Sequence, residues 1–283
     1  MKICVAGLGI IGGSLCMSLK RAGYEVSGWN RSAEALGYAL ENKIIDSSAE
    51  NFSGYDVVFV ALPPKATADF INAAEFKDGA VVADICGVKR YILREVEAKP
   101  RNFRYVGCHP MAGKEVSGIE NACAELFDGA SMVITSDNKT DAAALEIIRK
   151  LTADMGFGYI VECSAETHDR KIAYTSQLAH IVSNAYVKDE EIAGCIGFTG
   201  GSFQDMTRIA GVDENVWAAL YLNNAENLSR SIGNLISSLE EIKRAVDSGD
   251  GQNLRAVLRE GRARFESGKN TLRQSDIFVQ KLK

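Results

Sequence analysis

The chain has 283 residues, 46% hydrophobic and 24% charged, with a mean hydropathy of −0.06. That is enough apolar material for one large domain or two ordinary ones, and it excludes a disordered or collagen-like chain. Its 32 basic and 37 acidic residues leave a net charge of −5, against a broad grip on nucleic-acid phosphates, and its seven cysteines contain no CxxC pair, so neither a disulfide framework nor a metal site is expected and a reducing cytoplasm is.

The opening MKICVAGLGIIGGSLCMSL is apolar enough to imitate a signal peptide, but Gly7, Gly9, Gly12 and Gly13 interrupt it. It reads as a strand, a turn and the start of a helix. No segment sustains 18 apolar residues, so no membrane span is expected. Short apolar runs at 2–6, 25–29, 56–62, 80–85, 104–108, 131–135 and 159–162 alternate with helical stretches, the rhythm of a parallel α/β sheet. The run VVFVAL at 57–62 is apolar at successive positions, as in strands covered on both faces by helices.

After Ser164 the pattern changes. All four prolines (63, 64, 100 and 110) lie before residue 111, which permits long helices beyond it. Leu220, Leu222, Leu228, Ile232, Leu235, Leu239, Ile242 and Val246 recur at three- and four-residue steps, predicting one amphipathic helix over 218–246. The expected architecture is a Rossmann-type α/β domain at 1–163 followed by an all-α domain at 164–283, whose long helix buries its stripe against a second copy as a homodimer. From Gly251 onward eight Lys and Arg face three Asp and Glu, and Arg255, Arg259 and Arg262 at helical spacing read as a solvated face.

Gly7, Leu8, Gly9, Ile10, Ile11 and Gly12 form a GxGxxG between the first run and a helical pattern, where a dinucleotide fingerprint belongs. Gly7 permits the tight turn, Gly9 lets a pyrophosphate approach the backbone, and Gly12 lets helix and strand come close. The second run ends in Trp29, Asn30, Arg31 and Ser32 without the acid that commonly holds the ribose of NAD. Asn30 suits a 2′-hydroxyl, and Arg31 with Ser32 suits a 2′-phosphate, so NAD and NADP both stay open. Leu62 and Pro63, closing the third run, complete the expected cofactor-binding set.

Every histidine lies in one of two clusters. His109 follows the fifth run within Gly107–Gly113, ahead of Lys114, Glu115, Ser117 and Gly118; His168 precedes Asp169, and His180 closes Ser176-Gln177-Leu178-Ala179-His180. A third cluster, Thr199–Ala210 followed by Trp217, contains Asp205, Thr207 and Arg208. Ligands of open α/β sheets sit outside the carboxyl ends of the strands, where His109 falls. In one helix His168 and His180 would point 120° apart.

From the glycine loop through His109-Pro110-Met111-Ala112-Gly113, His168-Asp169 and Asp205-x-Thr207-Arg208-Ile209-Ala210 to Trp217, the chain resembles the prephenate dehydrogenase (TyrA) family, which includes arogenate dehydrogenases. The resemblance implies oxidative decarboxylation of prephenate to 4-hydroxyphenylpyruvate in tyrosine biosynthesis, with hydride passing to NAD or NADP. It makes His109 the catalytic base, and Arg208 and His180 the substrate-binding pair. His168 and Asp169 are expected to fix the domain junction.

Two departures stand out. The family's Gly-Ser-Val-Lys segment reads Cys86-Gly87-Val88-Lys89 here, so Gly87 stands at a substrate position without the serine hydroxyl. Gln177 and Ala179 replace the usual His and Pro, and loss of the proline should straighten the helix. Cys86 and Cys108 are expected to line the site, where thiol modification would inhibit. Neither an ACT-type regulatory domain nor a fused chorismate mutase is expected after the helical domain. Competing readings are an arogenate dehydrogenase, a β-hydroxyacid dehydrogenase and a non-catalytic nucleotide sensor.

Overall fold

In the computed structural model, residues 1–114, 116–270 and 277–282 are described. Glu115 of the segment after His109, and Arg273, Asp276 and Lys283 of the basic tail, lie outside the described residues. The chain divides into two compact units: Met1–Asp169 with Gly211–Asn223 and Val279–Lys283, and Arg170–Ala210 with Asn224–Phe278.

In the first unit the expected runs become strands joined by helices: β1 (Ile3–Ala6), α1 (Ile10–Arg21), β2 (Val26–Trp29), α2 (Ala33–Glu41), β3 (Ser47–Ser48), β4 (Val57–Val60), α3 (Pro64–Ala73), β5 (Val81–Asp84), α4 (Arg90–Glu97), β6 (Arg104–Pro110), β7 (Ser131–Thr135), α5 (Ala142–Asp154) and β8 (Tyr159–Cys163). Residues of β1, β4 and β5 are buried at every position. Phe59, Val5 and Ala83 join one apolar cluster with Leu15 and Leu19 of α1 and Ile148 and Leu151 of α5. Val58, Cys4 and Val82 point the other way, into a cluster with Ile71 of α3 and Ile92 of α4. This two-sided burial explains the unbroken apolar runs, since each side chain removed from water contributes about 1.5–3 kcal/mol.

The sheet order is β3-β2-β1-β4-β5-β6-β7-β8-β9, with β9 (Ile277–Lys281) at the far edge. Its first six strands follow the doubly wound order, which opens a crevice between β1 and β4, where successive connections leave in opposite directions. The all-parallel expectation fails where β7 runs antiparallel to β6, pairing Gly107 with Thr135 and His109 with Val133. Among the described residues no α-helix lies between β6 and β7, and a parallel pair needs a crossover of that kind. The sequence reading also passes over β3 and β9. Two serines carry no periodicity, and β9 is recruited by its place at the edge, beside which Leu282 N–H donates to the Gly158 carbonyl (2.8 Å).

Among the remaining helices are α6 (Ala165–Ile172), α7 (Leu178–Tyr186), α8 (Gly201–Thr207), α9 (Glu214–Leu222), α10 (Ala225–Asp247) and α11 (Gly251–Asn270). The single helix expected over 218–246 is broken between α9 and α10. Asn223 Nδ2 donates to the Ala219 carbonyl (2.8 Å). Asn224 leaves helical geometry at φ −129°, and its Nδ2 donates to Gln177 Oε1 (2.9 Å). Asparagine side chains that satisfy such groups compete with the helical ladder. Leu220 and Leu222 therefore belong to α9 and the rest of the stripe to α10.

Nor is the helix after Ser164 straight. A π turn at Ala173–Gln177 separates α6 from α7 even though the expected proline is absent. The buried Gln177 finds its partner in Asn224, so a wide turn that satisfies its amide replaces the regular one. No helix among the described residues is long and apolar enough to cross a membrane.

Candidate active site

The glycine loop closes on itself through backbone contacts. Gly7 has φ +101°, its N–H donates to the Trp29 carbonyl (2.8 Å), and a Cβ there would lie 2.9 Å from Leu62 Cδ2. A Cβ on Gly12 would overlap the Gly7 carbonyl oxygen, whereas one on Gly9 meets nothing within 4 Å. Gly9 is thus exposed at the start of α1, whose first turn contains Ile10 and Ile11 and no acid. That leaves backbone N–H groups and the positive helix end free for a pyrophosphate.

Asn30 serves this loop directly: its Oδ1 accepts from Leu8 N–H (3.1 Å). Ser32 caps α2, accepting from Ala35 N–H (3.3 Å), and Arg31 is exposed. The Leu62 carbonyl accepts from Thr67 Oγ1 (2.7 Å) and the Cys86 thiol (3.2 Å), and Pro63 caps α3.

His109 is half-buried near the carboxyl end of β6. Its Nδ1 lies 2.9 Å from His168 Nε2, and His168 Nδ1 lies 2.7 Å from Asp169 Oδ1. The Asp169 carboxylate also accepts from Lys89 N–H at Oδ1 (2.8 Å) and Arg90 N–H at Oδ2 (2.9 Å), so both oxygens act as acceptors. His168 Nδ1 must then carry its proton, its Nε2 must accept, and His109 Nδ1 must donate. That leaves His109 Nε2 without the proton, with its lone pair available. Burial, reinforced by His168 and Lys89, holds the His109 pKa well below its ordinary 6.5. A neutral imidazole with its lone pair fixed in direction can accept a proton.

Gly87 faces that nitrogen: a Cβ there would lie 3.6 Å from His109 Nε2 and 3.3 Å from Leu220 Cδ2. Beneath it, fully buried Lys89 pairs with Asp84 and donates to the Cys108 carbonyl (2.6 Å). Tyr105 Oη donates to Asp84 Oδ2 (2.6 Å). This ties the ends of β5 and β6 to the start of α4, with every charged group partnered as burial requires.

Cys86 and Cys108 belong to this packed layer, contrary to their expected place on the wall of the site. They are 5% and 0% exposed, and burial pushes both thiols up to about 12, which leaves no reactive thiolate.

In the second unit the His180 and Arg208 segments meet. His180 Nδ1 donates to the Ile209 carbonyl (3.1 Å), Ser183 Oγ to the Met206 carbonyl (2.6 Å), and Asn184 Nδ2 to the Ala210 carbonyl (3.3 Å). One face of α7 thus holds the chain on both sides of Arg208, an exposed residue at the end of α8. Their sequence separation hides this contact.

Sequence reasoning misses the relay of His168 and Asp169 to His109 and the buried Asp84, Lys89 and Tyr105. One available signal is an acid closing VVAD, a run with both faces apolar, because a charge there demands a buried partner.

A dinucleotide loop at the sheet's switch point, in the same unit as an oriented neutral imidazole, defines a nicotinamide-dependent dehydrogenase. Residues 15–161 match the family model "Prephenate dehydrogenase, nucleotide-binding domain", and residues 164–260 match "Prephenate dehydrogenase, dimerization domain". The chain belongs to the prephenate dehydrogenase family of NAD(P)-dependent oxidoreductases.

It is 29% identical over 267 residues to the prephenate dehydrogenase of Bacillus subtilis, covering 89% of this chain and 72% of the relative. To the cyclohexadienyl dehydrogenase of Zymomonas mobilis it is 29% identical over 269 residues, covering 89% and 90%. The solved structure of Aquifex aeolicus prephenate dehydrogenase with hydroxyphenyl propionate and NAD+ superposes with a TM-score of 0.82 at 27% identity, covering 94% of this chain and 98% of that one.

Proposed function

We propose that the chain oxidatively decarboxylates prephenate to 4-hydroxyphenylpyruvate, with His109 Nε2 as the acceptor of the ring hydroxyl proton. The observation carrying this reading is the chain of contacts from Asp169 through His168 to His109, which leaves one unprotonated nitrogen beside Gly87. When bound, NAD(P) would supply the acceptor for the hydride of the carbinol carbon. As the hydroxyl becomes a carbonyl its proton moves to His109 Nε2, so positive charge collects on an imidazole backed by the Asp169 carboxylate. Carbon dioxide then leaves, and the pair from its carbon–carbon bond enters the ring, which becomes aromatic as the carbonyl oxygen takes up a proton.

Arg208 offers a planar fork to a substrate carboxylate, and His180 lies beside its segment to read the side chain. Gly87 leaves the space next to Nε2 open for the ring. The functional division into 1–163 for nucleotide and 164–283 for substrate and dimerisation belongs to the same reading. A homodimer is supported by the exposed Leu239 and Val246 of α10 and Leu258 and Phe265 of α11, an apolar face typical of subunit contacts. Seven free cysteines suit the cytoplasm.

The test is a two-by-two assay of prephenate or arogenate against NAD or NADP, followed at 340 nm. Turnover is expected with prephenate and should fall by orders of magnitude in His109→Asn while cofactor affinity is kept. Turnover with arogenate alone transfers the reading to arogenate dehydrogenase. No turnover with either substrate would return the chain to a β-hydroxyacid dehydrogenase or a sensor.

A further inference from the structure

We propose that an amide clasp between Gln177 and Asn224 sets which face of α7 meets the Arg208 segment, so that both act as positioning residues for substrate binding. The inference rests on the reading of Arg208 and His180 as the substrate-binding pair. All the residues it uses belong to the second compact unit.

The π turn at Ala173–Gln177 leads directly into α7. Its hydrogen bonds span five positions where an α turn spans four, so it takes up one extra residue. A regular helix advances about 100° per residue. Every side chain of α7 is therefore turned by about that angle from where an uninterrupted helix continued from Arg170 would put it.

The polar stripe of α7 depends on this turn. His180, Ser183 and Asn184 stand at i, i+3 and i+4, on one helix face. They hold the Ile209, Met206 and Ala210 carbonyls, on both sides of Arg208 (3.1, 2.6 and 3.3 Å). In the uninterrupted helix the three directions would pass to Ala179, Val182 and Ser183. Alanine and valine side chains have no donor, so two of the three anchors would be lost, and a short hydroxyl would replace the Asn184 amide.

The groups that hold the wide turn are polar and buried. Asn227 Nδ2 donates to Asn224 Oδ1 (2.9 Å), and Asn224 Nδ2 donates to Gln177 Oε1 (2.9 Å). Gln177, Asn224 and Asn227 are all buried, where an amide deprived of its partner is costly. The clasp thus ties the π turn to the start of α10, and through the π turn it fixes the register of the stripe.

The experiment is steady-state kinetics with prephenate, with cofactor titration and a thermal melt on the same samples. Gln177→Met keeps the volume and loses the acceptor. It should raise KM for prephenate roughly tenfold or more, with kcat within about threefold and cofactor affinity within about twofold, the pattern of lost ground-state binding. Asn224→Ser, whose side chain still suits a helix start, should do the same from the other partner and carries the test if Gln177→Met does not fold. Deleting the exposed Tyr174 from either variant removes the extra residue, so a regular helix then presents His180, Ser183 and Asn184 in their present directions. KM should return to within about threefold of wild type, a rescue that a merely structural clasp would not give. A folded variant with wild-type KM, or a raised KM that the deletion leaves raised, overturns the inference and leaves the dehydrogenase reading standing. A wild-type chain that does not turn over prephenate overturns both.

Discussion

Replacement of Asp169 by Asn tests the relay behind His109. The wild-type carboxylate accepts from Lys89 N–H (2.8 Å), Arg90 N–H (2.9 Å) and His168 Nδ1 (2.7 Å). An amide of the same shape has one acceptor oxygen. If that oxygen keeps Lys89 N–H and His168, the new NH2 confronts Arg90 N–H, and a buried donor without an acceptor costs about 1–3 kcal/mol. If the amide turns over, the NH2 points at His168 Nδ1, which must then accept. His168 Nε2 becomes the donor, His109 Nδ1 the acceptor, and the remaining proton moves to His109 Nε2, where the base should be bare.

Either orientation predicts a stability loss of about 2–4 kcal/mol by urea denaturation, adding the lost charge assistance. The second also predicts a fall in kcat of order 10²–10⁴, comparable to other bases locked in the wrong tautomer. Cofactor affinity should stay within about twofold, because the glycine loop is untouched. Steady-state kinetics, cofactor titration and denaturation together read all three quantities. A variant that keeps both its stability and a kcat within about threefold of wild type would refute the relay.

The pH profile should have an acid limb below neutrality. His109 and His168 are both held below their ordinary 6.5, chiefly by burial, so kcat/KM should be flat at pH 7 and fall only as the pH drops through the lowered His109 value. Stability follows the same sign: the unfolded chain binds the extra protons first, so the urea midpoint should hold above about 6.5 and decline below it. Gly12→Ala and Gly9→Ala should separate fold from binding. The first drives a methyl into the Gly7 carbonyl oxygen and should lower Tm, while the second has open space around it and should keep Tm but weaken cofactor titration by about tenfold or more. Iodoacetamide at pH 7.5, read by mass spectrometry, should label the half-buried Cys123 and Cys195 before Cys86 and Cys108, whose early alkylation in the native protein would contradict their burial.

What could be read from the residues follows the range of the physics involved. β1, β4 and β5 announce themselves because burial on both faces forces apolar side chains at consecutive positions, and the glycine loop because backbone crowding leaves few residue types for Gly7 and Gly12. His109 stands out by its place at a strand end. The reversal at β7 is not visible because it depends on a connection lacking a helix, and the break at Asn223–Asn224 depends on Gln177, 47 residues away. The same separation hides the contact of His168 with His109, which are 59 residues apart. Short-range pattern finds the elements, whereas polar groups that need a partner show only when the partner arrives.

The Asp169 carboxylate has one further consequence. By accepting from Lys89 and Arg90 N–H it closes the first turn of α4, while the residues that form the dinucleotide loop all precede it by more than a hundred positions. The residue that aims the base is thus the last of the first compact unit's main segment, whereas the dinucleotide loop lies near that segment's start.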